Sequence, residues 1–161
     1  MSLITDALNS QFGLKGKIQF SDDNSLIKFT AKSQHSCLQC HLQGAHITSF
    51  IVTGFSEVLW LSPMSEFKLG KAIRGGIPIC WPWFGNLDKN PYVIQDQVKP
   101  EVQAGAHGFV RSMPWQIHSI IENCGDVEIT LELDNTPESK KLWPYEFNLK
   151  ARFVFSKTLK L

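Results

Sequence analysis

The chain has 161 residues, 43% of them hydrophobic and 11% aromatic, which is enough apolar material for one core and excludes a disordered tail. Sixteen basic residues against fifteen acidic ones leave a formal net charge of +1, and no Lys/Arg run is long enough to bind nucleic acid. No apolar run approaches the roughly 18 residues of a membrane span, so we expect a soluble protein without a membrane partner.

The N-terminal residues 1–20 lack the basic, apolar and small-residue regions of a secretory signal. We therefore predict a cytoplasmic protein whose cysteines stay reduced. The cysteines expected to be buried thiols rather than disulfides are Cys37, Cys40, Cys80 and Cys124.

The elements that follow are mostly strands. Residues 3–12 can form a short helix, but from Ile18 onward short runs rich in β-branched and aromatic residues alternate with Gly, Pro, Asn and Asp. The last run alternates as a half-buried antiparallel strand does, which favours an all-β sandwich over an α/β fold. The predicted strands are Lys17–Phe20, Leu26–Thr30, Ser36–Gln43, His46–Val52, Glu57–Leu61, Trp115–Ile121, Val127–Leu133 and Glu146–Phe155.

The third predicted strand contains the sequence CLQCH at residues 37–41, which fits the C-x-x-C-H pattern of covalent haem attachment. Side chains alternate along a strand, so Cys37 and Cys40 would point to opposite faces, whereas a single haem needs both on one side. We therefore predict that Cys40 is a buried thiol, that His41 is its neighbour on the opposite face, and that no haem is bound.

Two segments resist a strand interpretation, and the first is KAIRGGIPICWPWFGNL at residues 71–87. Arg74 offers a planar fork of donors to a phosphate or a carboxylate. Gly75 and Gly76 lack side chains, so a ligand could approach their backbone. Arg-Gly-Gly alone is weak evidence for such a site.

The aromatic residues of the same segment have two interpretations. Trp81, Trp83 and Phe84 could pack against the apolar face of a sugar ring, or they could fill the core of a sandwich. Composition favours the core for at least two of the three.

The second segment is GAHGFVRSMPW at residues 105–115. His107 is suited to proton transfer near neutral pH, and Arg111 could add fixed positive charge to the same pocket. The alternative is a surface histidine beside a structural ion pair. The residues alone leave both interpretations open.

Four motifs, in the order EVLWLSP, AIRGGIPICWPWFG, AHGFVRSMPW and LWPYEF, closely resemble the hexose-6-phosphate mutarotases, or glucose-6-phosphate 1-epimerases, of the aldose 1-epimerase superfamily. The resemblance extends from about residue 42 to about residue 157. It implies a galactose-mutarotase-like β-sandwich and an isomerase that interconverts the α and β anomers of a phosphorylated hexose. It implies no metal or organic cofactor.

Carried over by motif, the resemblance places Arg74, Gly75, Trp83, His107 and Arg111 at the substrate site. The two arginines are expected to contact the substrate and its phosphate. His107 is expected to hydrogen-bond the sugar and to assist the proton transfers. The partner is then a phosphorylated hexose.

The chain also departs from the family. The acid histidine and the base glutamate of the family are expected beyond Leu161, so residues 1–161 are predicted to be a single domain, the N-terminal portion of a longer mutarotase domain, with unpaired sheet edges that favour self-association. Residues 86–105 add length between the two motifs, either as a lid or as a surface insertion. A non-catalytic carbohydrate-binding β-sandwich remains the alternative function.

Overall fold

Eight antiparallel strands form the fold in a computed structural model that describes residues 2–98, 105–123, 126–156 and 158–160. The strands are β1 (Ile18–Asp23), β2 (Leu26–Lys32), β3 (Ser36–His41), β4 (His46–Val52), β5 (Gln116–Asn123), β6 (Asp126–Asp134), β7 (Asn148–Phe155) and β8 (Leu159–Lys160). One sheet has the order β1-β2-β3-β4 and the other β5-β6-β7-β8. Every strand therefore pairs with its neighbour in sequence.

The helices lie outside the sheets and are short. The predicted N-terminal helix is α1 (Leu3–Phe12). The side-chain amide of Asn9 attaches this helix to β1, because it donates to the carbonyl of Phe20 at 2.9 Å and accepts from the N–H of Phe20 at 2.7 Å. The others are α2 (Tyr92–Gln95), α3 (Pro137–Leu142) and two 3-10 turns, Leu87–Lys89 and Val110–Ser112. Over the described ranges, no helix has the length and apolarity needed to cross a membrane.

A hydrophobic core lies between the two sheets because the inward residues alternate along each strand. In β7, Ala151, Phe153 and Phe155 are buried, as the alternation predicted. They meet buried residues of the first sheet such as Phe20 and Phe29 in one cluster. The predicted all-β sandwich is confirmed.

The predicted strand Glu57–Leu61 is wrong. Glu57 and Leu61 make only isolated bridges, to Ile51 and Gly75. At the edge of β4 the backbone N–H of Phe50 donates to the carboxylate of Glu57 at 2.8 Å, whereas the carbonyl of Phe50 accepts the backbone N–H of Val58 at 3.0 Å. A side chain thus takes one position of the backbone ladder at this edge, and the ladder does not continue as a strand.

In β3 the two cysteines of CLQCH lie on opposite faces, as predicted. Cys40 is fully buried, where burial raises the pKa of its thiol, and it pairs with Ile47 in the core. Cys37 is only half-buried. The expectation of buried thiols is thus met by Cys40 but not by Cys37 or by the half-buried Cys80, and Cys124 lies outside the described residues.

His41 and His46 face each other across β3 and β4, and each is 1% exposed. The His41 ring packs against Phe67 at a centroid distance of 5.1 Å, and its Nδ1 lies 3.3 Å from the hydroxyl of Thr48. Burial lowers the pKa of His41 from 6.5 to about 4, although Asp23 nearby raises it in part. Both rings are therefore neutral at neutral pH.

This burial predicts acid sensitivity. An unfolded histidine takes up a proton at pH 6.5, whereas folded His41 does so only at about pH 4, so the free energy of unfolding should fall as the pH drops through that window. One histidine contributes at most about 1.4 kcal/mol per pH unit. Urea unfolding across the window measures it. The slope should flatten in His41→Gln and persist in His35→Gln, which removes a half-exposed histidine; equal slopes in all three proteins would contradict the assignment.

Candidate functional site

A cavity of about 900 Å³ lies where the two irregular segments meet. Its lining comes from residues between Met64 and Phe84 and from two residues of the second segment, His107 and Arg111. Of the predicted site residues, the structure brings together Arg74, Gly75, His107 and Arg111. Trp83 is not part of this lining.

Backbone contacts hold the two segments side by side. Gly108 pairs with Trp81, and the N–H of Phe109 donates to the carbonyl of Trp81 at 3.1 Å. The N–H of His107 donates to the carbonyl of Gly85 at 2.8 Å. Residues 81–85 and 107–109, on either side of the added segment, therefore lie next to each other, so the added length does not separate Arg74 from Arg111.

Arg74 is held by its backbone on both sides. Its N–H donates to the hydroxyl of Ser65 at 3.2 Å, and its carbonyl accepts from the N–H of Ser62 at 3.0 Å. The two following glycines serve chain packing: a Cβ on Gly75 would lie 2.5 Å from the carbonyl oxygen of Trp60, and one on Gly76 would lie 2.2 Å from that of Ile47. Their missing side chains thus face protein backbone, while both glycines also line the cavity, so the approach of a ligand to their backbone stays a prediction.

Arg111 projects from the 3-10 turn Val110–Ser112, whose base is buried. Val110 is 0% exposed, and its carbonyl accepts the indole N–H of Trp115 at 3.1 Å. Gly44, in the turn between β3 and β4, approaches so closely that a Cβ would lie 2.4 Å from the carbonyl oxygen of Arg111. The turn therefore fixes where the Arg111 side chain begins.

His107 has a defined tautomer. Its Nδ1 accepts a hydrogen bond from the backbone N–H of Gly85 at 3.1 Å, so in the neutral ring Nε2 carries the proton. The residue adopts a φ of +65°, and its ring packs against the ring of Phe84 in a T-shaped arrangement with a centroid distance of 4.8 Å. His107 can therefore act as a hydrogen-bond donor through Nε2.

The aromatic residues divide between core and cavity. Trp83 is 2% exposed, with its indole N–H donating to the carbonyl of Gly105 at 3.0 Å, so it has no free face for a sugar, and its proposed substrate contact needs correction. Trp81 packs on Phe147 and Phe109. Phe84 is 74% exposed and lines the cavity. Two of the three aromatics are thus structural, and the third is available to a ligand.

His46 contributes to the site without having been predicted. Its Nε2 donates to the carbonyl of Gly75 at 2.7 Å and so supports the turn that follows Arg74. Burial lowers the pKa of His46, its hydrogen bond to Gly75 raises it in part, and the charge of Arg111 lowers it further. His46 lies in the stretch LQGAHITSF at residues 42–50, but only its three-dimensional contact with Gly75 reveals this supporting role.

The cavity is positively charged. Lys71, Arg74 and Arg111 line it together with one carboxylate, Glu66. Within the part of the chain that the structure describes, neither guanidinium forms a salt bridge, whereas Glu66 is paired with Lys68 and Lys71. No cluster of three His, Cys, Asp or Glu residues suited to a metal ion occurs among the described residues. The arrangement suits an anionic ligand.

The added segment contributes little to this cavity as far as it is described. Residues 87–98 contain a 3-10 turn and α2, and none of them lines the cavity. Tyr92 and Val93 are exposed, while Val98 is buried. These positions favour a surface insertion over a lid for residues 87–98; residues 99–104 lie outside the described ranges.

Comparison with known sequences agrees with the resemblance. Residues 26–161 match the family model described as aldose 1-epimerase. The chain is 45% identical over 122 residues to the "Putative glucose-6-phosphate 1-epimerase" of Escherichia coli strain K12, and 43% identical over 122 residues to the protein of that name from Salmonella typhimurium. Each match covers 74% of this chain and 37% of the relative, so the chain spans less than half the length of these relatives.

Solved structures agree on the fold. The crystal structure of YeaD from Salmonella typhimurium, described as "a putative mutarotase", superposes with a TM-score of 0.78 at 34% identity over 92% of this chain and 46% of that chain. A galactose mutarotase-like protein from Clostridium acetobutylicum shares the fold at 15% identity, with a TM-score of 0.67 over 88% of this chain and 46% of that one. The predicted galactose-mutarotase-like sandwich is therefore confirmed, and the chain belongs to the aldose 1-epimerase family.

Proposed function

We propose that the complete protein interconverts the α and β anomers of a hexose 6-phosphate, and that this chain binds the phosphate and orients the sugar. The observation that carries the proposal is that Arg74 and Arg111, which form no salt bridge with any described residue, line one cavity together with His107. A phosphate monoester is a ligand whose charge and several terminal oxygens match two guanidinium forks. The names of the relatives from Escherichia coli and Salmonella typhimurium support the same substrate class.

The reaction needs only proton transfers. A base removes the proton from the O1 hydroxyl while an acid protonates the ring oxygen O5, and the bond between C1 and O5 breaks to leave an aldehyde. Rotation about the bond between C1 and C2 presents the other face of the aldehyde, and the reverse transfers close the ring. The products differ from the substrate only in the configuration at C1, so no electrons are gained or lost.

Residues of this chain have defined tasks in that scheme. The arginines hold the phosphate, and their charge anchors the far end of the sugar. The Nε2–H of His107 donates to a sugar oxygen, and the exposed ring of Phe84 packs against the C–H face of the hexose. Glu66 is occupied by two lysines, so these residues account for binding and orientation and not for a complete acid and base pair.

Magnetisation-transfer NMR of glucose 6-phosphate tests the activity. The complete protein should accelerate exchange between the two anomers, and substoichiometric amounts should suffice because nothing is consumed. Heat-inactivated protein at the same concentration is the control. Failure to accelerate the exchange, with the protein shown to be folded, would contradict the proposal.

A second function has one observation in its favour. The described lining of the cavity contains one histidine, His107, and one carboxylate, Glu66, which is already paired. A carbohydrate-binding protein that performs no chemistry needs no more than this. Binding of glucose 6-phosphate without any effect on anomer exchange would select this second function.

A further inference from the structure

We propose that Lys71 is a third cationic contact for the phosphate group. In the absence of ligand, Glu66 holds Lys71 at the cavity, and the phosphate takes the place of Glu66 as the partner of Lys71 when it binds. The inference rests on the proposed function and deepens it, because it names a residue besides the two arginines that makes the protein bind phosphorylated hexoses more tightly than free hexoses. The ligand chemistry is a phosphate monoester or free phosphate, either of which presents the same oxygens.

The position of Lys71 is fixed from the backbone side by Gln43. This glutamine is 3% exposed, and its amide forms hydrogen bonds to the backbone of residues 68–71. Its Nε2 donates to the carbonyl of Lys71 at 2.8 Å, and its Oε1 accepts from the N–H of Gly70 at 2.8 Å. A buried side chain thus anchors the start of the Lys71 side chain beside Arg74.

The Lys71 ammonium is held by an exchangeable partner. Its Nζ lies 2.9 Å from both carboxylate oxygens of Glu66, and the two side chains are 58% and 48% exposed. Both residues line the cavity. An exposed ion pair contributes little stability, so an incoming phosphate with two negative charges can take the lysine from the carboxylate at small cost.

Lys68 offers a matched control within the same cluster. Its Nζ lies 2.9 Å from the same carboxylate, and it is 64% exposed, but it does not line the cavity. Lys68 and Lys71 hold the pKa of Glu66 down to about 2, so its charge persists at neutral pH. The two lysines therefore differ in position relative to the cavity and share the carboxylate partner.

Calorimetric titration of the complete protein with glucose 6-phosphate, inorganic phosphate and glucose tests the inference. Lys71→Met should weaken both phosphates about threefold to tenfold and leave glucose unchanged, whereas Lys68→Met should leave all three within about twofold. Lys71→Arg should retain most of the affinity because the charge remains. Identical affinities in Lys71→Met and Lys68→Met would overturn the role of Lys71. A similar loss for glucose 6-phosphate and glucose, with inorganic phosphate unchanged, would overturn a phosphate contact in favour of a sugar contact.

The role of Glu66 is tested by a double-mutant cycle. Glu66→Gln should tighten phosphate binding about twofold to fivefold because Lys71 loses its competing partner. This gain should vanish in the Lys71→Met background. A gain of the same size in that background would overturn the competition and indicate simple repulsion between Glu66 and the ligand.

Failure of the inference and failure of the proposed function give different results. If Arg111→Ala weakens phosphate binding but Lys71→Met behaves as Lys68→Met does, the arginine site stands and only the third contact is wrong. If Arg111→Ala also leaves phosphate binding unchanged, the phosphate site itself is wrong. Thermal melting of each variant confirms that it is folded, since all these side chains are at the surface or at the cavity.

Discussion

Replacing Arg111 by alanine should weaken glucose 6-phosphate binding by about tenfold to a hundredfold, because hydrogen bonds to a charged group contribute about 1.5–3 kcal/mol each. Arg74→Ala should have a similar effect. Glucose, which lacks the phosphate, should lose little affinity in either variant. Arg111→Lys should lie between wild type and alanine, since lysine keeps the charge but not the paired donors. Calorimetric titration with the two sugars measures the ratio.

A matched arginine control is available in Arg152. It lies on β7, with its guanidinium paired with Glu128 at 2.6 Å, and it does not line this cavity. Arg152→Ala should leave the affinity for glucose 6-phosphate within about twofold of wild type. Equal losses for glucose and glucose 6-phosphate in Arg111→Ala would argue against a phosphate contact and for a general disturbance of the cavity.

Replacing Gly108 by alanine should destabilise the fold by about 3 kcal/mol or more, because a residue with a side chain must adopt an unfavourable φ and also displace the neighbouring backbone. The φ of Gly108 is +67°, and a Cβ there would lie 1.8 Å from the carbonyl oxygen of Trp81. Relief of this clash separates the two segments that form the cavity. Urea unfolding should show the lower stability, and the affinity for glucose 6-phosphate should fall as well.

Gly85 separates the two causes. Its φ is also +67°, but nothing lies within 4 Å of a Cβ built on it. Gly85→Ala should therefore cost only the conformational part, about 1 kcal/mol. If the two alanine variants lose the same stability, the close contact between Gly108 and Trp81 has no separate energetic effect. The view that this contact holds the two cavity-forming segments together is then wrong.

Several parts of the fold could be predicted because they depend on local pattern. The alternation of Ala151, Phe153 and Phe155 is a property of the strand itself, and burial follows wherever one face meets a core. The opposite faces of Cys37 and Cys40 follow from the same rule. The pattern failed at Glu57–Leu61, where the Glu57 carboxylate binds the edge of β4, because a side-chain hydrogen bond leaves no periodic signal in the sequence.

The site was predictable in its charged residues and not in its supports. Arg74, His107 and Arg111 lie in motifs whose order is specific, and all three line one cavity. Trp83 and Phe84 are adjacent in the sequence, so either ring is a candidate to face that cavity. Which ring does so depends on which of the two is covered by the second segment, and the sequence does not show this. The support of the Arg74 turn by His46 joins residues 29 positions apart, which only the packed structure brings into contact.

By itself, the sequence determined the β-rich class, the inward residues of most strands, the family, and the arginines and histidine of the candidate site. These follow from periodicity and from motifs that are continuous in the chain. Only the tertiary structure decided that Gly75 and Gly76 lie against backbone, that Trp83 is buried, and that Glu66 and Lys71 share the cavity. These relations depend on which distant segments come into contact, and that contact is a property of the packed fold and not of any local stretch of residues.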